Sequence, residues 1–167
     1  MTMTDLPLQS DDLRLIAEIG FIGAECGQVS AARALFEGLR ELRPDSTLPF
    51  IGLAMADMGS NRAADAVRML REEALKAHPD DPELMTFLGW ALQGAKQASE
   101  SHKVLSAVVA RDPSASNSYT RMAAKLLEST SRDASPASLM PRWSETARRS
   151  AQAQATAAGP ADASDDL

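Results

Sequence analysis

Pro44, Pro79 and Pro113 stand 35 and 34 residues apart, and each closes a helix-like segment ending in Arg-Pro, His-Pro or Asp-Pro. The residue before a proline is pushed out of the helical region, so each dipeptide marks a helix end. A stop that recurs about every 34 residues confines the chain to stacked helical hairpins, none of which buries its own apolar face without a neighbour. Function is then sought on a surface that holds something, more than in an enclosed active site.

Composition agrees with that architecture. Hydrophobic residues make up 44% of the 167 residues and aromatics only 4%. Such an alanine- and leucine-rich mixture suits close helix packing, whereas a sheet wants more β-branched and aromatic side chains. The length suffices for one domain with a real core.

Setting the prolines at the last place of each unit gives Leu13–Pro44, Thr47–Pro79 and Pro82–Pro113, the second with one extra residue before its proline. Large apolar residues then recur in register: Ile16, Ile19, Phe36 and Leu39; Phe50, Leu53 and Leu70; Met85, Leu88, Leu92, Leu105 and Val108. Gly20, Ala54 and Gly89 share one place, and Ala32, Ala66 and Ser101 another. Small residues at both places let the paired helices approach closely. Gly27, Gly59 and Gly94 fall in or near the turns inside the hairpins, where a left-handed residue commonly ends a helix. Asn61 reads as an N-cap, as does Asp81 ahead of Pro82 and Glu83. Helices are expected at about 11–26, 29–43, 48–59, 62–77, 82–94 and 97–111, with a seventh at about 115–129 carrying Tyr119, Met122, Ala123 and Leu126 to cap the open end.

The predicted organisation is an N-terminal arm (1–10), a repeat domain with its cap helix (11–129), a linker (130–142), a short helix (143–156) and a disordered tail (157–167). The linker is read from Ser129-Thr-Ser-Arg-Asp-Ala-Ser-Pro136, and the tail from Gly159, Pro160 and three aspartates. Leu139, Met140 and Trp143 follow that Ser129–Pro136 stretch and either fold back on the stack or dock on a partner.

Charge and special residues exclude several classes. Net charge is −6, which argues against a nucleic-acid partner, since phosphate binding needs a basic face. Arg142, Arg148 and Arg149 form the one basic cluster and read as a solvated helix face. Cys26 is the single cysteine, so no intrachain disulfide is expected. The N-terminus has no signal-peptide character and no stretch approaches a membrane span, which predicts a cytoplasmic protein. No phosphate loop or metal-ligand spacing is present, so neither cofactor nor metal is expected. His78 and His102 have no orienting acid, and Ser101 and His102 diverge as neighbours on a helix; no catalytic residue is assigned.

These units resemble tetratricopeptide repeats over about residues 11–129. The pattern is degenerate: the consensus tryptophan is replaced by Ile16, Phe50 and Met85, and the consensus tyrosine by Gly23, Asp57 and Leu92. The stretch Ala32-Arg-Ala-Leu-Phe-Glu-Gly-Leu-Arg-Glu-Leu-Arg-Pro-Asp45 is similar to the first repeat of the tetratricopeptide chaperones and accessory proteins of bacterial type III secretion systems. The resemblance implies an all-α, right-handed superhelical stack of about three hairpins plus a capping helix. It also implies a chaperone or assembly adaptor for a secretion-system subunit.

By the same resemblance the first helix of each hairpin lines a concave groove. Its facing positions are Arg14, Ala17, Phe21 and Ala24; Leu48, Ile51, Met55 and Met58; Glu83, Thr86, Trp90 and Gln93; and Asn117, Thr120 and Ala124 on the cap helix. Phe21, Leu48, Ile51, Met55, Met58, Thr86, Trp90 and Gln93 are the candidate partner-binding residues. An apolar surface of this kind marks a binding site, and methionine lets it repack around different peptides. The alternative is that these residues are covered by the N-terminal arm, the C-terminal segment or a second copy of the chain. Two functional readings follow: a chaperone with a protein or peptide in the groove, or a homo-oligomeric scaffold component such as a homodimer. Trp90→Ala and Met55→Ala are expected to abolish partner binding without unfolding the protein.

Overall fold

The computed structural model describes residues 10–130. Every regular element among them is helical: α1 (Ser10–Glu25), α2 (Val29–Leu42), α3 (Leu48–Gly59), α4, α5 (Pro82–Gly94), α6 (Ala98–Arg111) and α7 (Ser118–Thr130). Helix α4 runs as Ala63–Met69, a π-helical turn Leu70–Ala74 and a last turn Leu75–Ala77. The helices pair as hairpins α1/α2, α3/α4 and α5/α6, and each even helix also packs on the next odd one. Helices α1, α3, α5 and α7 pack in series and form one layer. The expected all-helical hairpin stack with a cap helix is the fold observed. The arm, linker, second helix and tail lie outside the described residues, apart from Ser10 and Thr130 at their borders.

Each proline acts as a stop in the same way. The residue before it leaves the helix at φ/ψ of −137/72° for Arg43, −127/75° for His78 and −140/76° for Asp112. Proline excludes the α region for its predecessor, and three unrelated side chains therefore settle into one conformation.

The turns inside the hairpins also repeat, at the expected glycine in the first and two residues beyond it in the other two. Gly27, Asn61 and Lys96 hold the left-handed position, with φ of 76°, 58° and 60°. Behind them Gln28, Arg62 and Gln97 donate their backbone N–H to the carbonyls of Gly23, Asp57 and Leu92, each at 2.8 Å. Gly27, Asn61 and Lys96 donate theirs to Ala24, Met58 and Gln93 at 3.2, 3.1 and 3.0 Å. This double bond pattern is the Schellman motif, which satisfies carbonyls that the helix end leaves open. Gly59 and Gly94 instead form the last residues of α3 and α5. Asn61 is not an N-cap; it tolerates the left-handed region itself, and Arg62 begins the next helix.

The extra residue of the second unit has a physical location. Buried residues of α2 fall at Ala32, Phe36 and Leu39, and those of α6 at Ser101, Leu105 and Val108. In α4 the matching places are Ala66, Leu70 and Ala74, with Val67 buried beside them. The insertion thus lies between Leu70 and Ala74, where the helix widens into its π turn. One extra residue in a wider turn leaves Ala74 facing the core, five residues before its proline like Leu39 and Val108.

Close approach is visible where the sequence places small residues. The Phe36 ring sits between α1 and α3, where a Cβ on Gly20 would come within 2.9 Å of it and a Cβ on Gly52 closer still. Gly89 meets Leu105 with no room for a side chain, and the Ser101 hydroxyl donates to the Gly89 carbonyl at 2.7 Å. That bond explains how a polar residue occupies a fully buried place that alanine fills in the other hairpins.

Helix α7 starts later than expected. Asp112 accepts bonds from the Ser114 and Ser116 hydroxyls, both at 2.8 Å, and from the Asn117 amide at 3.0 Å. Asn117 then caps the helix by accepting from the Thr120 N–H at 2.9 Å. Local side-chain bonds of this kind compete with helix over residues 112–117.

Candidate partner-binding groove

The sequential layer of α1, α3, α5 and α7 brings the candidate residues onto neighbouring helices: Phe21 on α1, Leu48 to Met58 on α3, and Thr86 to Gln93 on α5. Their accessibility differs. Phe21, Ile51, Met55, Thr86 and Trp90 are buried within the chain itself, Met55 and Trp90 at 5% and 6% exposure. Phe21 packs on Phe36 with ring centroids 4.8 Å apart, and Trp90 meets Phe87 edge-on at 6.1 Å. Thr86 turns its hydroxyl back to the Pro82 carbonyl at 2.8 Å. These side chains form the floor of the face and part of the core. Truncating Met55 or Trp90 would therefore open a cavity as well as alter the face, which makes them unsuited to a test of binding alone.

The accessible part is smaller and more polar. Leu48 is 38% exposed, and Met58 and Gln93 are half-buried. Met58 lies against Gly94, in space that any side chain there would occupy. Gln93 donates its amide to the Leu126 carbonyl at 3.0 Å and so ties α5 to α7. Ala24, Asn117 and Ala124 are half-buried, Arg14 is exposed, and Ala17 and Thr120 are buried.

Glu83 adds an electrostatic feature. Burial in the first turn of α5, helped by the neighbouring Asp81 carboxylate, pushes its carboxyl up to about 7. The Asp81 carboxylate is itself committed to the helix, accepting from the Leu84 N–H at 2.9 Å. A half-buried carboxyl that titrates near neutrality favours a cationic group arriving beside it.

A second charged feature was hidden at a packing position. Asp57 replaces the large aromatic expected there, and its buried carboxylate accepts from Arg33 at 2.6 Å and Arg62 at 2.8 Å. This triad joins α2, α3 and the start of α4. An acid on an otherwise apolar helix was the available signal, and the two arginines could be paired with it only in three dimensions. On the outer layer, Arg40 meets Glu73 at 2.8 Å across the first two hairpins, and Arg71 pairs with Glu100 across the next two.

The residues weighed for catalysis stay apart in role. Ser101 faces inward, while His102 is exposed with its Nδ1 3.4 Å from the Ser106 hydroxyl. His78 lies edge-on to Phe50 at 6.2 Å. Among the described residues no three His, Cys, Asp or Glu side chains gather as a metal site, and no helix is long and apolar enough to cross a membrane.

A family model for the tetratricopeptide repeat matches residues 62–126, from the start of α4 into α7. The fold is a tetratricopeptide-repeat stack. No curated protein matches the sequence. Its fold is similar to that of the Yersinia enterocolitica type III secretion translocator chaperone SycD, solved as an alternative dimer. The TM-score is 0.58 with 19% sequence identity, over 75% of this chain and 96% of the other. At that identity the likeness speaks for the fold.

Proposed function

We propose that the chain is a protein-binding module, acting as a cytoplasmic chaperone or assembly adaptor for a subunit of a bacterial secretion system. The observation that carries this reading is the layer formed by α1, α3, α5 and α7. It offers an apolar floor (Phe21, Ile51, Met55, Trp90), exposed or half-exposed Leu48 and Met58 beside it, and the titratable Glu83 at its entry. A partner segment with an apolar side chain for Leu48 and Met58, and a lysine or arginine near Glu83, suits that surface. The fold's likeness to a translocator chaperone supports the choice of a secretion-system subunit as partner.

The test is co-expression with candidate secreted subunits followed by size-exclusion chromatography. A stable complex with one subunit is expected. Leu48→Asp and Met58→Glu should weaken it about tenfold or more, since a charge in an interface core loses more than the apolar contact, with thermal stability nearly unchanged for Leu48→Asp. Unaltered affinity in both variants would remove the groove from the reading. A homo-oligomer indifferent to every subunit would favour the scaffold alternative instead.

A further inference from the structure

Helix α1 is apolar on two opposite sides. Leu13, Ala17 and Phe21 face the stack and are buried. Leu15, Ile19 and Ile22 point the other way and are 57%, 51% and 54% exposed, with the exposed Cys26 next in the same line. Their spacing of four, three and four residues is that of a helix–helix seam. A helix with two apolar faces has the pattern of an inner layer with a neighbour on each side. Beside the outer face run Asp11, Glu18 and Glu25, seven residues apart and therefore on one flank, with Glu18 also holding Arg14 at 3.2 Å.

We infer that residues 139–150 of the same molecule cover this face. The segment holds Leu139, Met140 and Trp143 together with Arg142, Arg148 and Arg149 against a single Glu145. Arg142 and Arg149 are seven residues apart, matching the spacing of the acids on α1. Other occupants fit the charge worse. A second copy of α1 would bring a second row of the same acids, and residues 1–9 offer Asp5 and no basic side chain.

Reach permits the return. Short turns reverse the chain at each step, so α7 runs in the direction of α1 and its last residue, Thr130, lies toward the Ile22–Cys26 end. Three helix spacings separate α7 from α1 and a fourth reaches a segment on its outer face, at about 8–10 Å each roughly 32–40 Å in all. The ten residues from Thr130 to Met140 span about 33–36 Å when extended, and the thirteen to Trp143 about 43–47 Å. The segment then runs antiparallel to α1, with Met140 and Trp143 toward Cys26 and Ile22, Arg142 toward Glu25 and Arg149 toward Glu18. This inference is independent of what the groove binds.

The lone cysteine supplies the test. In the full chain carrying Met140→Cys and the native Cys26, mild oxidation at low protein concentration should close a disulfide between Cys26 and the introduced thiol within the molecule. Peptide mass spectrometry without reduction identifies it, and monomer mobility confirms that it is internal. Ile19→Glu with Ile22→Glu, both on an exposed face, should slow closure about tenfold or more by removing the apolar contact. Arg142→Glu with Arg149→Glu should slow it too, and added salt should slow it in the parent chain. Should Met140→Cys fail to fold, Ser144→Cys gives the same readout. Closure no faster than in the Ile19→Glu/Ile22→Glu chain overturns the inference. So do disulfides formed only between molecules, which would give the face to a second copy.

Discussion

Helix α7 turns Ala123 and Leu126 into the stack and exposes Arg121, Lys125 and Glu128, whereas α1 buries one apolar row and exposes another. The first arrangement closes a repeat stack by itself, because one side needs a neighbour and the other needs water. The second leaves a layer unfinished among the described residues. The comparison separates two properties that a repeat period does not distinguish. Periodicity says how many layers stack; only the outward face of the end helix says where stacking stops.

The difference is sharpest in stability. Leu126→Ala removes a side chain that is 2% exposed at the closed end and should cost about 2–5 kcal/mol. Ile19→Ala at the other end should cost about 1 kcal/mol or less, since half of its surface is lost to water or held by a single covering segment. Urea unfolding of the two variants decides the matter. Equal costs would mean that α7 is as loosely held as the outer face of α1.

Between the ends, the matching places Gly23, Asp57 and Leu92 set the hairpins apart in charge. Asp57→Ala leaves Arg33 and Arg62 without their buried acid, though both guanidinium groups keep contact with water. A loss of about 1–3 kcal/mol is expected, below the cost of stranding a fully enclosed charge. Calorimetry of Asp57→Ala beside Leu92→Ala separates an electrostatic joint from an apolar one: only the Asp57 effect should be accompanied by loss of sensitivity to Arg33→Ala.

The entry positions of the first and third hairpins differ in a way that pH exposes. Arg14 is exposed and pairs with Glu18 at 3.2 Å, while Glu83 at the matching place is shielded and its carboxyl is raised to about 7. The folded chain keeps that proton while the unfolded chain loses it near pH 4.5. Stability from this group is therefore full below the unfolded value and declines as pH rises toward about 7. Glu83→Gln should remove that decline and gain about 1–2 kcal/mol relative to the parent at pH 8, a figure reduced for residual solvent contact. Parallel pH–stability curves for the two chains would show that Glu83 is not shielded.

Much of the fold was legible because its signals are local. A pre-proline residue, a small residue opposite a ring and an amphipathic row act within one or two turns, and each reads directly from sequence. Other features depend on distant partners. Burial of Met55 and Trp90 follows from the depth of packing between α1, α3 and α5, which helical spacing alone does not give; the same spacing describes a groove wall and a core. The π turn was announced by one extra residue before Pro79, but its place required the buried register of Leu70 and Ala74. The second apolar row of α1 is present in Leu15, Ile19 and Ile22, but the repeat register assigns Ile19 to packing, whereas it is 51% exposed.

The smallest effect compares the hairpin turns themselves. Gly27 and Lys96 hold the same left-handed place with the same pair of backbone bonds. Glycine enters that region without a Cβ clash, whereas lysine does so at a cost of about 1–2 kcal/mol. Lys96→Gly should therefore stabilise the third hairpin, but by only about 0.5–1 kcal/mol, because glycine also loosens the unfolded chain. Gly27→Lys should cost a similar amount at the other end of the stack. Thermal melts of the two variants and of their combination provide the reading. Opposite shifts that cancel in the double variant would establish that the turns obey one geometry and differ only in the residue placed there. A destabilised Lys96→Gly chain would instead mean that the lysine stem covers enough of its own hairpin to outweigh the backbone strain.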